Sequence, residues 1–227
     1  MTKKERAKLA VEALKAEYPG AVCSLEYQDP LQLLIATRLS AQCTDARVNL
    51  VTPALFARFP TLEAFCEGTV EEIGELIRSC GFYNTKSKDI LGMCQMIRDE
   101  FGGQVPDTIE ELTRLPGVGR KTANLIVGDI YHKPAVVTDT HCIRIAGRLG
   151  LTANTAPEKV ENDLRAVLPP EESNDFCHRL VLHGRAVCTA RKAYCEKCCM
   201  AAFCKKKGVG PNGEKLPSGK QAAKKRK

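Results

Sequence analysis

Apolar positions recur three and four residues apart along most of the chain, the period of an amphipathic α-helix. The pattern predicts helices over 4–17, 29–42, 69–79, 86–101, 108–115, 120–131, 141–149, 157–168 and 174–187. Punctuation agrees with it. Thr108-Ile-Glu-Glu111 reads as a capping box after Pro106, and Thr155-Ala-Pro-Glu158 repeats that logic with a proline in the first turn. Gly102-Gly103 and Gly150 read as helix stops. Only Ala135-Val136-Val137 reads as extended, which is too short for a sheet, and no internal repeat is found. The expected fold class is all-α.

Composition narrows the picture. The 227 residues suit one large domain or two small ones, and 44% hydrophobic with 27% charged content is ordinary for a globular chain. Aromatic residues make up 5%, with no Trp, which argues against a β-sandwich or a stacking-based RNA binder. No apolar run is long enough to span a membrane, and the charged first twenty residues read as a surface helix rather than a secretion signal. The net charge of +7 is unevenly placed: from Lys205 to Lys227, nine Lys or Arg face Glu214 alone. The Gly, Pro, Ser and Lys content of that stretch predicts a disordered tail over 205–227. It is either a solubilising or targeting segment or a non-specific attractor for a polyanion such as DNA. The length suits a bacterial cytoplasm, and the terminal KKRK suits a nuclear address.

Three constellations carry chemistry. The first is LPGVGRKTANLIVGD at 115–129, where a helix ends at Leu115 and another opens after Gly119. Two glycines one residue apart allow positive φ and leave amide N–H groups at a helix N-terminus, a geometry that suits a phosphate oxygen. The whole string resembles a helix-hairpin-helix DNA-binding motif rather than an ordinary interhelical turn. The second constellation is Lys121 and Asp139. A lysine in the first turn opposes the helix dipole, whose positive end favours the neutral, nucleophilic amine; the lesser alternative is that Arg120 and Lys121 only contact phosphate. Asp139 emerges from an apolar approach just before a helix, where it is either an N-cap alone or a carboxylate facing Lys121 and developing positive charge. The third is Cys188-x6-Cys195-x2-Cys198-x5-Cys204. Four thiols so close argue for one metal centre, with structural zinc and an iron–sulfur cluster both open on spacing. The other eight cysteines (Cys23, Cys43, Cys66, Cys80, Cys94, Cys142, Cys177 and Cys199) lie mostly among apolar neighbours and read as small core residues.

In this order the three pieces resemble the endonuclease III family of base-excision DNA glycosylases, over about residues 5–204. SAQCTDARVN at 40–49 and GFYNTKSKDI at 81–90 are similar to loops of that family. The resemblance implies a 4Fe–4S cluster on Cys188, Cys195, Cys198 and Cys204, ordering a short basic loop with Arg191, Lys192 and Lys197. It implies a helical barrel domain at 23–133 carrying the hairpin at about 108–131. A cluster domain would combine 1–22 with 134–204, with a DNA-binding groove between the two. It implies Lys121 as the Schiff-base lysine and Asp139 as the essential aspartate. Gln42 would fill the gap left by a flipped base, and Gly117, Val118, Gly119 and Arg120 would hold the backbone. Phe82 stands where the family places an apolar wedge, commonly Leu or Ile, so its identity is a departure. The implied partner is damaged double-stranded DNA, met by a monomer without a membrane. An adenine-mismatch glycosylase is less similar, because such enzymes usually lack the lysine and carry a further C-terminal domain. A non-enzymatic DNA binder with a redox-sensing cluster has no use for the Lys121–Asp139 pair.

Overall fold

The computed structural model describes residues 1–216. The chain divides into two compact units, Cys23–Lys133 and the combination of Met1–Val22 with the chain from Pro134 onward. Among the described residues there is no strand, only isolated bridges late in the chain, so the fold is all-α.

The unit Cys23–Lys133 holds α2 (Pro30–Ser40), α3 (Asp45–Arg58), α4 (Leu62–Glu67), α5 (Val70–Leu76), a 3-10 turn (Arg78–Cys80), α6 (Tyr83–Glu100), α7 (Ile109–Leu112) and α8 (Arg120–Asp129). Most of these helices start under a side chain. Asp29, Thr44, Thr61, Thr69 and Thr108 each accept a backbone N–H in the first turn of α2, α3, α4, α5 and α7, a device that contributes about 1 kcal/mol each. The long α6 packs on α2, α4 and α5, and α2 packs on α3 and α8. Leu33, Leu34, Ile35, Leu39, Ile73, Ile90, Met93 and Ile97 fill the core so formed, with Phe59 and Phe65 stacked 5.0 Å apart beside it.

The other unit holds α1 (Lys3–Glu17), α9 (Thr140–Leu149), α10 (Pro157–Arg165), a 3-10 turn (Pro170–Glu172), α11 (Ser173–Ala186) and a last 3-10 turn (Cys195–Lys197). Here α11 packs on α1 and α9, burying Leu14, Ile145, Phe176 and Leu180. Helix α9 comes near α11 at Gly184, where a Cβ would stand 2.3 Å from His141 Nδ1.

Three expectations change. Helices α3 and α4 lie outside the stretches that the apolar period predicts, and in α3 Pro53 interrupts the pattern. The start of α10 is Ala156 with Pro157 in the first turn, and Thr155 makes no cap; the proline sets the start without a capping side chain. The tail is not disordered from 205. Residues 205–216 fold back, with Ala193 N donating to Gly213 O (2.7 Å), Lys207 N to Arg148 O (3.1 Å), Gly210 N to Glu214 O (2.9 Å) and Leu216 N to Gly208 O (3.0 Å). The glycines that suggested disorder supply left-handed turns at Gly208 and Gly213, and at Gly213 a Cβ would strike Ala193 O at 2.0 Å. The rest of the expected tail, 217–227, lies outside the described residues.

Candidate functional site

The hairpin is built from the inside out. Thr108 starts α7, and α7 packs against α8 across the turn. Thr108 accepts Glu111 N, but Glu111 takes the Thr108 hydroxyl rather than its amide, so the capping box is only half formed. Leu115 and Val118 are buried and pin the turn to the core. Gly117 has φ +73°, and a Cβ there would lie 2.5 Å from Arg38 Nε and 2.8 Å from Asp89 Oδ2. Those atoms belong to a half-buried ion pair in which Arg38 Nε and Nη2 both donate to Asp89 Oδ2, at 2.8 and 2.5 Å. Glycine at 117 is therefore required by the chain itself.

Gly119 is different. Its φ of −94° suits any residue, and no atom lies within 4 Å of where its Cβ would stand. It is the N-cap of α8 and gives that helix no side-chain cap. Arg120 and Lys121 follow, both exposed in the first turn. Val118 is corrected in one respect: its N–H already donates to Leu115 O (3.1 Å), and its side chain is buried, so its part is to anchor the turn.

Two further exposed residues are held in the left-handed region. Gln42 (φ 55°) follows the end of α2, and Phe82 (φ 50°), 64% exposed, precedes α6. Among the described residues only His132 and Lys206 share this backbone state without being glycine. Such a conformation costs on the order of 1 kcal/mol and persists where surrounding structure fixes it.

In the other unit, buried Val136, Val137 and Thr138 lead to half-buried Asp139, the N-cap of α9. Its Oδ1 accepts Cys142 N at 2.7 Å. The N-cap role is thus real, and any chemical role is additional to it. Burial pushes the neighbouring His141 imidazole below its usual range, so it is neutral near pH 7.

Cys188, Cys195, Cys198 and Cys204 all line one pocket; Cys199 does not. Several donors face these sulfurs: Arg148 Nη1 lies 3.2 Å from Cys188 Sγ, Lys206 N 3.3 Å from Cys204 Sγ, and His183 Nε2 3.3 Å from Cys198 Sγ. Arg144 and Arg148 also donate to carbonyls at 188 and 189, fixing a segment that has little helix of its own. Among the described residues no three His, Cys, Asp or Glu side chains converge on a single-ion point. A donor set of four thiols around one apolar-walled space, with N–H groups toward the sulfurs, fits an iron–sulfur cluster. Neither arginine was singled out from sequence. The signal was their four-residue spacing on the helix after Asp139, but only the fold shows that this face meets Cys188.

Residues 35–170 match the model of the HhH-GPD superfamily base excision DNA repair proteins. The chain belongs to that superfamily. Within the HhH-GPD superfamily it is 51% identical to endonuclease III of a Synechocystis strain over 204 residues, covering 89% of this chain and 93% of the relative. It is 36% identical to endonuclease III of Escherichia coli K12, covering 91% and 98%. A solved structure of a trapped covalent endonuclease III–DNA intermediate superposes with a TM-score of 0.84 at 38% identity, over 91% of this chain and 97% of that one. The resemblance drawn from sequence holds, and this HhH-GPD protein is a DNA glycosylase/AP lyase of base excision repair.

Proposed function

We propose that this enzyme removes oxidised pyrimidines from double-stranded DNA through an imine on Lys121 and then breaks the strand on the 3′ side by β-elimination. The observation that carries the reading is the start of α8: a glycine cap with open space around it, followed by an exposed lysine against the helix dipole. The amides around Gly117 and Gly119, with Arg120, hold a backbone phosphate and fix register without reading sequence. The target nucleotide leaves the stack, which costs a few kcal/mol and least for a ring that damage has made non-planar. Phe82 wedges between bases and Gln42 occupies the vacated space, each presented by its left-handed backbone.

Lys121 Nζ attacks C1′ as the glycosidic bond breaks, and the bonding pair leaves with the base, which takes up a proton. The amine loses its proton, the sugar ring opens, and an imine links C1′ to Nζ. Loss of a C2′ proton then expels the 3′ phosphate, and water returns Lys121. Asp139 stabilises positive character at the sugar and takes part in moving the amine proton, while Oδ1 still caps α9. Cys188, Cys195, Cys198 and Cys204 hold a 4Fe–4S cluster, which supplies a structural cross-link for a segment rich in basic residues (Arg191, Lys192, Lys197).

Borohydride reduction during reaction with a duplex carrying one thymine glycol tests this. The expected result is a covalent protein–DNA adduct that disappears in Lys121→Gln. An adduct on an abasic site but not on thymine glycol would refute the substrate class. An adduct surviving Lys121→Gln would refute the nucleophile.

A further inference from the structure

Lys86 is 1% exposed, and its side chain faces no carboxylate partner. Its Nζ donates to Leu39 O (2.8 Å) and to Cys80 O (3.0 Å). Both acceptors are carbonyls at helix ends, one in the last turn of α2 and one closing the 3-10 turn Arg78–Cys80. Such carbonyls lack intrahelical partners and sit at the negative end of a helix dipole, which is where a cation is stabilised. Three residues beyond Leu39 stands Gln42, and two beyond Cys80 stands Phe82. The Lys86 backbone adds a third tie, its N–H donating to Phe82 O at 3.0 Å.

We propose that Lys86 is a positioning residue that sets the separation and aim of the two left-handed tips carrying Gln42 and Phe82. This rests on the reading above that those two residues enter the duplex. A buried ammonium is an expensive staple: burial pushes its pKa below the ordinary lysine value, and a methionine would fill the space without that cost. The charge is matched here by two strong acceptors on two different chain segments, the end of α2 and the 3-10 turn, which it ties to each other. The Cys43 thiol, one residue after Gln42, and the Cys80 thiol, two before Phe82, neighbour one another beside Lys86, so the two loops are in contact at this point. Gly81 (φ 70°) and Phe82 (φ 50°) are consecutive residues of positive φ; glycine adopts it freely, and Phe82, which carries a Cβ, needs support from outside the turn.

The test compares two substrates in the full-length, cluster-containing enzyme: a duplex with thymine glycol, which requires insertion, and a single strand with an abasic site, which does not. Lys86→Met is expected to lower kcat/KM on the duplex roughly 10- to 100-fold, the range for a small misplacement of working groups. Cleavage of the single strand should change less than about twofold, and Lys86→Arg should restore much of the duplex activity by reaching both carbonyls. A parallel fall on both substrates, or no fall on either, overturns the proposal. If Lys86→Met fails to fold, the same ratio is read from Lys86→Gln, whose shorter amide cannot span both acceptors; an unchanged ratio there overturns it equally. Gln42→Ala and Phe82→Ala separate the two readings. If they lower the ratio and Lys86 variants do not, the staple fails alone; if they leave it unchanged, the insertion roles fail and the staple with them.

Discussion

The unit Cys23–Lys133 and the segment after α11 hold their working residues by opposite means. In the first, five of seven α-helices begin under an Asp or Thr side chain, and the two that do not, α6 and α8, begin at Phe82 and Gly119. The scaffold is self-sufficient, and stabilisation is withheld only where the proposed DNA contacts lie. In the second, the four cysteines sit on a chain with a single 3-10 turn among its described residues, kept in place by Arg144, Arg148 and glycine turns. Under the proposed reading, the cluster on the four thiols completes that set of ties. The contrast teaches that exposure of a reactive terminus can be a local omission in a rigid fold, whereas a segment with little helix depends on side chains from its neighbours and, as proposed, on its cluster.

The largest effect expected from this contrast is at the thiols. Cys198→Ala should lose cluster absorbance and iron, cost several kcal/mol, and open the stretch after Val187 to protease before the helices of Cys23–Lys133 are cut. Limited proteolysis followed by mass mapping reads the order of cleavage; simultaneous cutting in both regions would break the comparison. Next is Gly117→Ala, where positive φ and the Arg38–Asp89 pair both resist a Cβ. A loss of about 1–3 kcal/mol is expected by denaturant unfolding. Removing a cap that carries no function, Thr69→Ala, should cost about 1 kcal/mol and leave DNA affinity unchanged.

The smallest effect is electrostatic. Lys15 and Arg179 hold the Glu172 carboxyl below its ordinary value. A lowered folded-state pKa adds stability above the ordinary carboxylate range and loses it as pH falls through that range toward the folded value. Glu172→Gln should therefore lower Tm near neutral pH, by the equivalent of about 0.5–1 kcal/mol, and flatten its decline in acid.

Much of this was legible. The helical period placed α1, α8, α9 and α11 within a residue or two, because each buries one stripe and ends on recognisable punctuation. Helix α3 was hidden by Pro53, although Val48, Val51, Thr52 and Leu55 keep the buried spacing through it. Gly117 and Gly119 look alike in sequence. Only the position of Arg38 and Asp89 shows that one glycine serves the fold and leaves the other without an internal reason. Lys86 lies inside the family-like stretch 81–90, but burial of a lysine between two carbonyls is tertiary and has no sequence period.

The most direct measurement is duplex affinity of Gly119→Asp beside its thermal stability. Aspartate fits this φ, its Cβ meets no atom within 4 Å, and it is a better N-cap than glycine for α8. The account predicts a Tm equal to or above that of the parent, with affinity for lesion-bearing duplex reduced at least tenfold at about 0.1 M salt. Unchanged affinity in a stabilised protein would contradict it, because the bare cap at Gly119 would then have no function to explain its absence of a side chain.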